Sequence, residues 1–242
     1  MRSWIFGLFA ATSFVAAPAI ALASTLEVTP INIEVPAPGA ASTVTLNNPG
    51  ADLVNAQVRI FKWTQQDGKD QLVPTTDVVA SPPAIRLEPG KKGVIRVVRL
   101  GKLPASSEET YRLIIDELPK PPKAGEAGVG FSVRYSIPVF FSKPGEEPAL
   151  SWKASVAGGQ LVLEADNSGG RRVRLASLRV VSGAGKTVKI GEGLAGYVLG
   201  QSAKTWTVKG AAKAIAPGGI IKIIAQGDNG PIEATAKVVA AN

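Results

Sequence analysis

Between Val129 and Phe141 the chain alternates with a period of two. Val129, Phe131, Val133, Tyr135, Ile137, Val139 and Phe141 are apolar, and Gly130, Ser132, Arg134 and Ser136 separate the first of them. Such a run predicts a long β-strand with one apolar face. Pro138 interrupts it, and a residue that cannot donate to a ladder suggests a sheet edge. A long apolar edge is an aggregation hazard that natural sheets usually blunt. Two readings follow. The segment is an ordinary core strand of a β-sandwich, or it is an edge kept open to pair with another chain.

The rest of the chain reads in the same way. Thr43–Leu46, Gln57–Trp63, Val94–Leu100 and Tyr111–Ile115 read as strands, and Gln66-Asp-Gly-Lys69 is a hairpin turn signal. Asn47-Asn-Pro-Gly50 and Glu88-Pro-Gly90 are further turns. After a Pro/Gly connector at 142–149 come Leu150–Val156, Gln160–Ala165, Val173–Val181, Lys204–Val208, Ile220–Ala225 and Ala234–Val239. No segment carries a sustained helical period with caps. The expected fold is all-β: two immunoglobulin-like sandwiches, at 24–144 and 145–242.

Met1-Arg2, an apolar stretch from Trp4 to Ala19 and Ala21-Leu-Ala23 read as a secretory signal peptide over residues 1–23. The mature product is expected to be exported and soluble, with no membrane insertion. There are no cysteines and no histidines among the 242 residues. No disulfide can therefore staple the fold, and His-based triads, His metal sites and imidazole acid–base chemistry are excluded. The formal charge is +8, but the basic residues are scattered rather than interleaved with aromatics. Nucleic acid is not an expected partner, and the excess fits an acidic partner or only solubility.

Enzymatic readings fail on spacing. Gly183-Ala-Gly-Lys-Thr187 evokes a phosphate loop, yet that loop requires a glycine where Val180 stands, and a strand-to-helix context. It reads as a hairpin turn. Asp116 and Glu117 are neighbours on a strand, so their carboxylates point to opposite faces. No nucleophile, base and oxyanion site can be assembled. The chain is expected not to be an enzyme and to need no cofactor or metal.

Ala80-Ser-Pro-Pro-Ala-Ile-Arg-Leu-Glu-Pro-Gly90, followed by the strand at 94–100, resembles the Pro-Pro-x-x-x-Leu-x-Pro-Gly signature of the PapD-like periplasmic pilus (fimbrial) assembly chaperones. Tyr111-Arg-Leu-Ile-Ile-Asp-Glu-Leu-Pro119 looks like that family's sixth strand, and 129–141 falls at its seventh. The pattern Ser136-Ile-Pro-Val-Phe140 looks like the divergent archaic or spore-coat-like branch. The resemblance covers nearly all of the first domain and, in the second, rests on size and strand count.

It implies a periplasmic, L-shaped chaperone that completes pilin subunits by donor-strand complementation, a form of β-augmentation, and hands them to an outer-membrane usher. Val129, Phe131, Val133 and Tyr135 would be the donor row. The family's carboxylate-anchoring Arg falls on Pro30, or on Asn32 with a two-residue shift, and its Lys falls on Pro138. Arg112 and Arg134 are the candidate substitutes. An interdomain charged bridge would join Glu108 to Lys143. The competing readings are a passive structural or adhesive tandem of immunoglobulin-like domains and a periplasmic ligand-binding module. The latter lacks a convergent polar and aromatic constellation.

Overall fold

Alternation becomes strands along nearly the whole chain in the computed structural model, which describes residues 26–101, 107–119 and 132–240. The expected leader lies outside the described residues. The first half contributes β1 (Glu27–Thr29), β2 (Ile33–Pro36), β3 (Ala41–Asn47), β4 (Val54–Gln66), β5 (Lys69–Pro74), β6 (Val78–Ser81), β7 (Ala84–Leu87), β8 (Lys92–Arg99), β9 (Glu109–Glu117) and β10 (Arg134–Ser142). One sheet has the order β1-β3-β8-β6. The other has β2-β10-β9-β4-β5, with β7 also on β4. Inward residues of alternate parity fill the space between them, among them Val44 and Leu46, Ile95 and Val97, and Leu113 and Ile115.

The second half contributes β11 (Leu150–Ala157), β12 (Gln160–Asn167), β13 (Val173–Ser182), β14 (Thr187–Lys189), β15 (Leu194–Val198), β16 (Ser202–Lys209), β17 (Ile220–Gly227) and β18 (Gly230–Ala240). β18 joins the two layers of this sandwich. Its first residues pair with β17, and Val238–Ala240 pair in parallel with β11. Leu161, Leu163, Leu175, Val180, Ile221, Ile223 and Val238 form the core. Gly183–Lys186 is the turn of the β13–β14 hairpin. The chain is thus all-β, with two immunoglobulin-like sandwiches.

Two strands serve a second core as well as their own. On β4, Val54, Ala56 and Val58 face inward, so Trp63, of opposite parity, faces outward. On β10, Val139 and Phe141 face inward and Phe140 outward. Trp63 and Phe140 pack with Tyr197 and Leu199 of the second sandwich. Trp63 meets Tyr197 edge-on, with ring centroids 5.4 Å apart. The β4–β5 hairpin tip also reaches β16, where the Thr205 amide donates to the Gly68 carbonyl at 3.0 Å.

The two sheets of the first sandwich are clamped at one end by a bidentate pair. Arg99 on β8 donates from Nε and Nη2 to the Glu109 carboxylate on β9, at 2.6 and 2.7 Å. Burial opposes ionisation of Glu109, but Arg99 and the Tyr111 hydroxyl outweigh it and hold the carboxyl below its usual 4.5. A depressed carboxyl contributes stability above its unfolded value and loses it as pH falls below that value. Arg99→Ala is therefore expected to cost about 3–5 kcal/mol at pH 7. The wild-type advantage should shrink when urea unfolding is repeated at progressively lower pH below 4.5.

Candidate functional site

β10 has two different edges along its length. On one side it pairs with β9 throughout, from Arg134↔Asp116 to Phe141↔Glu109. On the other it pairs in parallel with β2, beginning only at Val139↔Ile33. Among the described residues, positions 134–138 have no strand on that outer side. Pro138 is the last position before β2 closes the edge. An open edge offers unpaired main-chain groups to an incoming strand.

The inward row of β10 is divided at the same place. Ile137, Val139 and Phe141 are buried in the sandwich's own core. Tyr135 also turns to its own domain, packing against that core, and its hydroxyl donates to the Leu26 carbonyl. Val133 is half-buried and extends the pairing with β9, accepting from the Glu117 amide at 3.0 Å. Val129 and Phe131 lie outside the described residues.

The outward face beside the open edge carries three arginines. Arg134 on β10 and Arg59 on β4 both bind Asp116 on β9, Arg59 at 2.5 Å. Burial would raise the Asp116 carboxyl, but these two guanidiniums prevail and hold it below its ordinary value. Arg112, the third, stands directly across from Pro138. Its guanidinium lies 3.7 Å from the Trp63 ring centre and donates to the Ser136 carbonyl at 3.3 Å. Burial pulls its pKa down. Among the described residues, no carboxylate lies within ion-pair distance of it.

Asn32 precedes Ile33, the first partner of β10, so Asn32, Pro138, Arg112 and Phe61 stand level across the sheet. Cross-strand neighbours on one face have Cβ atoms about 5 Å apart. An arginine at 112 therefore places its charge within reach of the spot that a basic residue at 138 would serve. Pro30 and Asn32 are exposed in the link from β1 to β2.

The bridge between the sandwiches differs from the sequence expectation. Glu108 is fully buried, and its partner is Arg172, whose Nη1 and backbone amide both donate to the carboxylate, the amide at 3.2 Å. Nη2 of Arg172 binds Glu34 on β2, and the guanidinium lies 3.4 Å from the Phe140 ring centre. Lys143 is exposed. The short connector places it outside, while the 168–172 segment lies against Glu108, whose amide donates to the Gly170 carbonyl at 3.0 Å. Burial pushes the Glu108 carboxyl up to about 7 and the Arg172 guanidinium down to about 10. Direct pairing is what makes both charges tolerable there. Sequence reasoning missed Arg172, because a basic residue after Gly169-Gly170 reads as a solvated turn. Trp63 and Phe140 carried a usable signal: Val139-Phe-Phe141 is apolar on both faces.

The family model for the pili and flagellar-assembly chaperone, PapD N-terminal domain, matches residues 25–145. The chain belongs to this chaperone family. The protein is therefore a chaperone of pilus assembly. No curated protein matches the chain. Among solved structures, it is similar to a chain of the CsuC–CsuE chaperone–tip adhesion subunit pre-assembly complex from the archaic chaperone-usher Csu pili of Acinetobacter baumannii. Identity there is 27%, with a TM-score of 0.69, over 90% of this chain and all of that one. Its fold also matches the SafA pilin–SafB chaperone complex of Salmonella enterica, at 20% identity and TM-score 0.59, over 90% of this chain and 98% of that one. The DraB chaperone of E. coli matches at 20% and 0.57, over 88% and 96%.

Two comparisons check this division of labour. Phe141→Ala is expected to cost about 3–5 kcal/mol, and Val133→Ser less than about 1 kcal/mol, by urea unfolding. Arg172→Ala is expected to destabilise the chaperone by about 3–5 kcal/mol, since it strands a buried carboxylate. Lys143→Ala should leave stability unchanged; a comparable loss from Lys143→Ala would restore the bridge first expected.

Proposed function

We infer that this chaperone works in the periplasm. It captures incomplete pilin subunits by pairing a subunit strand with the open edge of β10, and delivers them to an outer-membrane usher. The likeness to a chain from a chaperone–subunit pre-assembly complex supports the reading. The observation that carries it is the half-open edge with Arg112 at its closed end. A strand added outside residues 134–138 must stop where Ile33 already occupies the place beside Val139. If it ran antiparallel to β10, its amino group would arrive there. If it ran parallel, its carboxylate would.

A guanidinium with no carboxylate of its own among the described residues suits the second arrangement. The captured strand is thus parallel to β10, and its terminal carboxylate goes to Arg112, replacing the anchors for which Pro30, Asn32 and Pro138 offer no charge. A charge-assisted contact of this kind suits arginine's two-pronged donor set. Val129, Phe131 and Val133 would fill the groove that the subunit lacks a strand to close, with alternate side chains giving selectivity. Glu108 and Arg172 would hold the second sandwich at a set angle behind the site.

Co-expression with the candidate pilin subunits and pull-down from the periplasm tests this. The double substitution Phe131→Ser, Val133→Ser should leave the chaperone folded and abolish recovery, since each buried side chain contributes roughly 1.5–3 kcal/mol. Arg112→Ala should weaken capture by roughly 2–5 kcal/mol. Full recovery with both variants would instead favour a passive tandem of immunoglobulin-like domains.

A further inference from the structure

The row Arg59–Asp116–Arg134 holds two positive charges and one negative charge, and it ends at the open edge. Asp116 is the cross-strand partner of Arg134, and Arg59 closes on Asp116 from β4. The Arg134 side chain keeps 65% of its surface exposed, against 14% for Asp116. Its inner flank is matched by a carboxylate. Its outer flank, where the next strand of the sheet would lie, has no strand among the described residues. A strand added there sets a side chain of its own beside Arg134, on the same face, at cross-strand pair distance.

We propose that the chaperone selects subunit strands bearing Asp or Glu four residues before their carboxyl terminus, read by Arg134. This rests on the parallel strand and Arg112 anchor argued above. The count comes from the register. The terminal residue stands level with Pro138, because β2 occupies the place beside Val139. The residue level with Arg134 is then four earlier and of the same parity, so both project onto the arginine face. An acidic residue there completes an alternating row of four charges. A lysine there meets Arg134 and its surplus charge. Residues three or five before the end point to the opposite face and are not read by Arg134.

Synthetic eleven-residue strands of alternating Val and Thr, with a free carboxylate and an N-terminal fluorophore, are the probes. Anisotropy titrations compare Glu with Lys at the position four before the end, and the same pair three before the end. The Glu strand should bind roughly two- to tenfold more tightly than the Lys strand at low salt. The difference should shrink at high ionic strength. In Arg134→Glu, whose fold is checked by circular dichroism, the preference should reverse. The pair placed three before the end should show no preference in either protein.

Equal binding of the two strands, with C-terminal amidation still weakening both, overturns the Arg134 selection and leaves the anchor standing. Binding that ignores amidation, or no binding by any strand, overturns the anchored parallel strand and this inference with it.

Discussion

A buried guanidinium ties the second sandwich to the first. Arg172 comes from the second half of the chain, yet its charge is divided between Glu34 and Glu108 of the first half, and its flat face lies on Phe140. Removing two opposite charges from water is unfavourable unless they meet directly with good geometry. The pairing therefore tolerates little displacement, and it fixes the segment 168–172 against the start of β9. Phe140, trapped beneath the guanidinium, belongs to the same strand that leaves its edge open farther along. The strand offered to a partner is thus rooted at one end in the junction between domains.

Much of this architecture was legible in the sequence. The alternating segments at 43–46, 57–63, 94–100 and 111–115 fall on β3, β4, β8 and β9, with only Leu100 beyond a strand end, because a sandwich with one wet and one dry face per sheet writes period two into its strands. Where that pattern fails, so does the reading. β5 is exposed at every position and carries no alternation, and β1 and β2 are too short to show a period. β2 matters most among these, since it decides where the open edge stops.

The site was legible in part. Arg112 and Arg134 could be named as basic residues on predicted strands. Which of them lacks a carboxylate partner among the described residues could not be read, because that depends on Asp116 reaching Arg134 and Arg59 but not Arg112. Parity assigns a face, whereas pairing between side chains depends on register between strands far apart in sequence. The same limit explains the Glu108 correction. A bridge to Lys143 is the shortest solution along the chain, but the fold brings Arg172, from a turn with no periodic signal, into the buried position.

One small residue at the hairpin tip sets a clearance between the sandwiches. Gly68 has φ of +71°, and a Cβ there would fall 2.1 Å from Thr205 Oγ1 on β16. Glycine answers both demands, the left-handed backbone and the absent side chain. The tip acts as a spacer one backbone thick, at a place separate from Arg172 and from the Trp63–Tyr197 contact. Spread over separate places, the three contacts resist rotation of one half against the other, as the legs of a tripod do. Domain geometry in this chaperone is therefore gauged by the absence of a single methyl group as well as by charge.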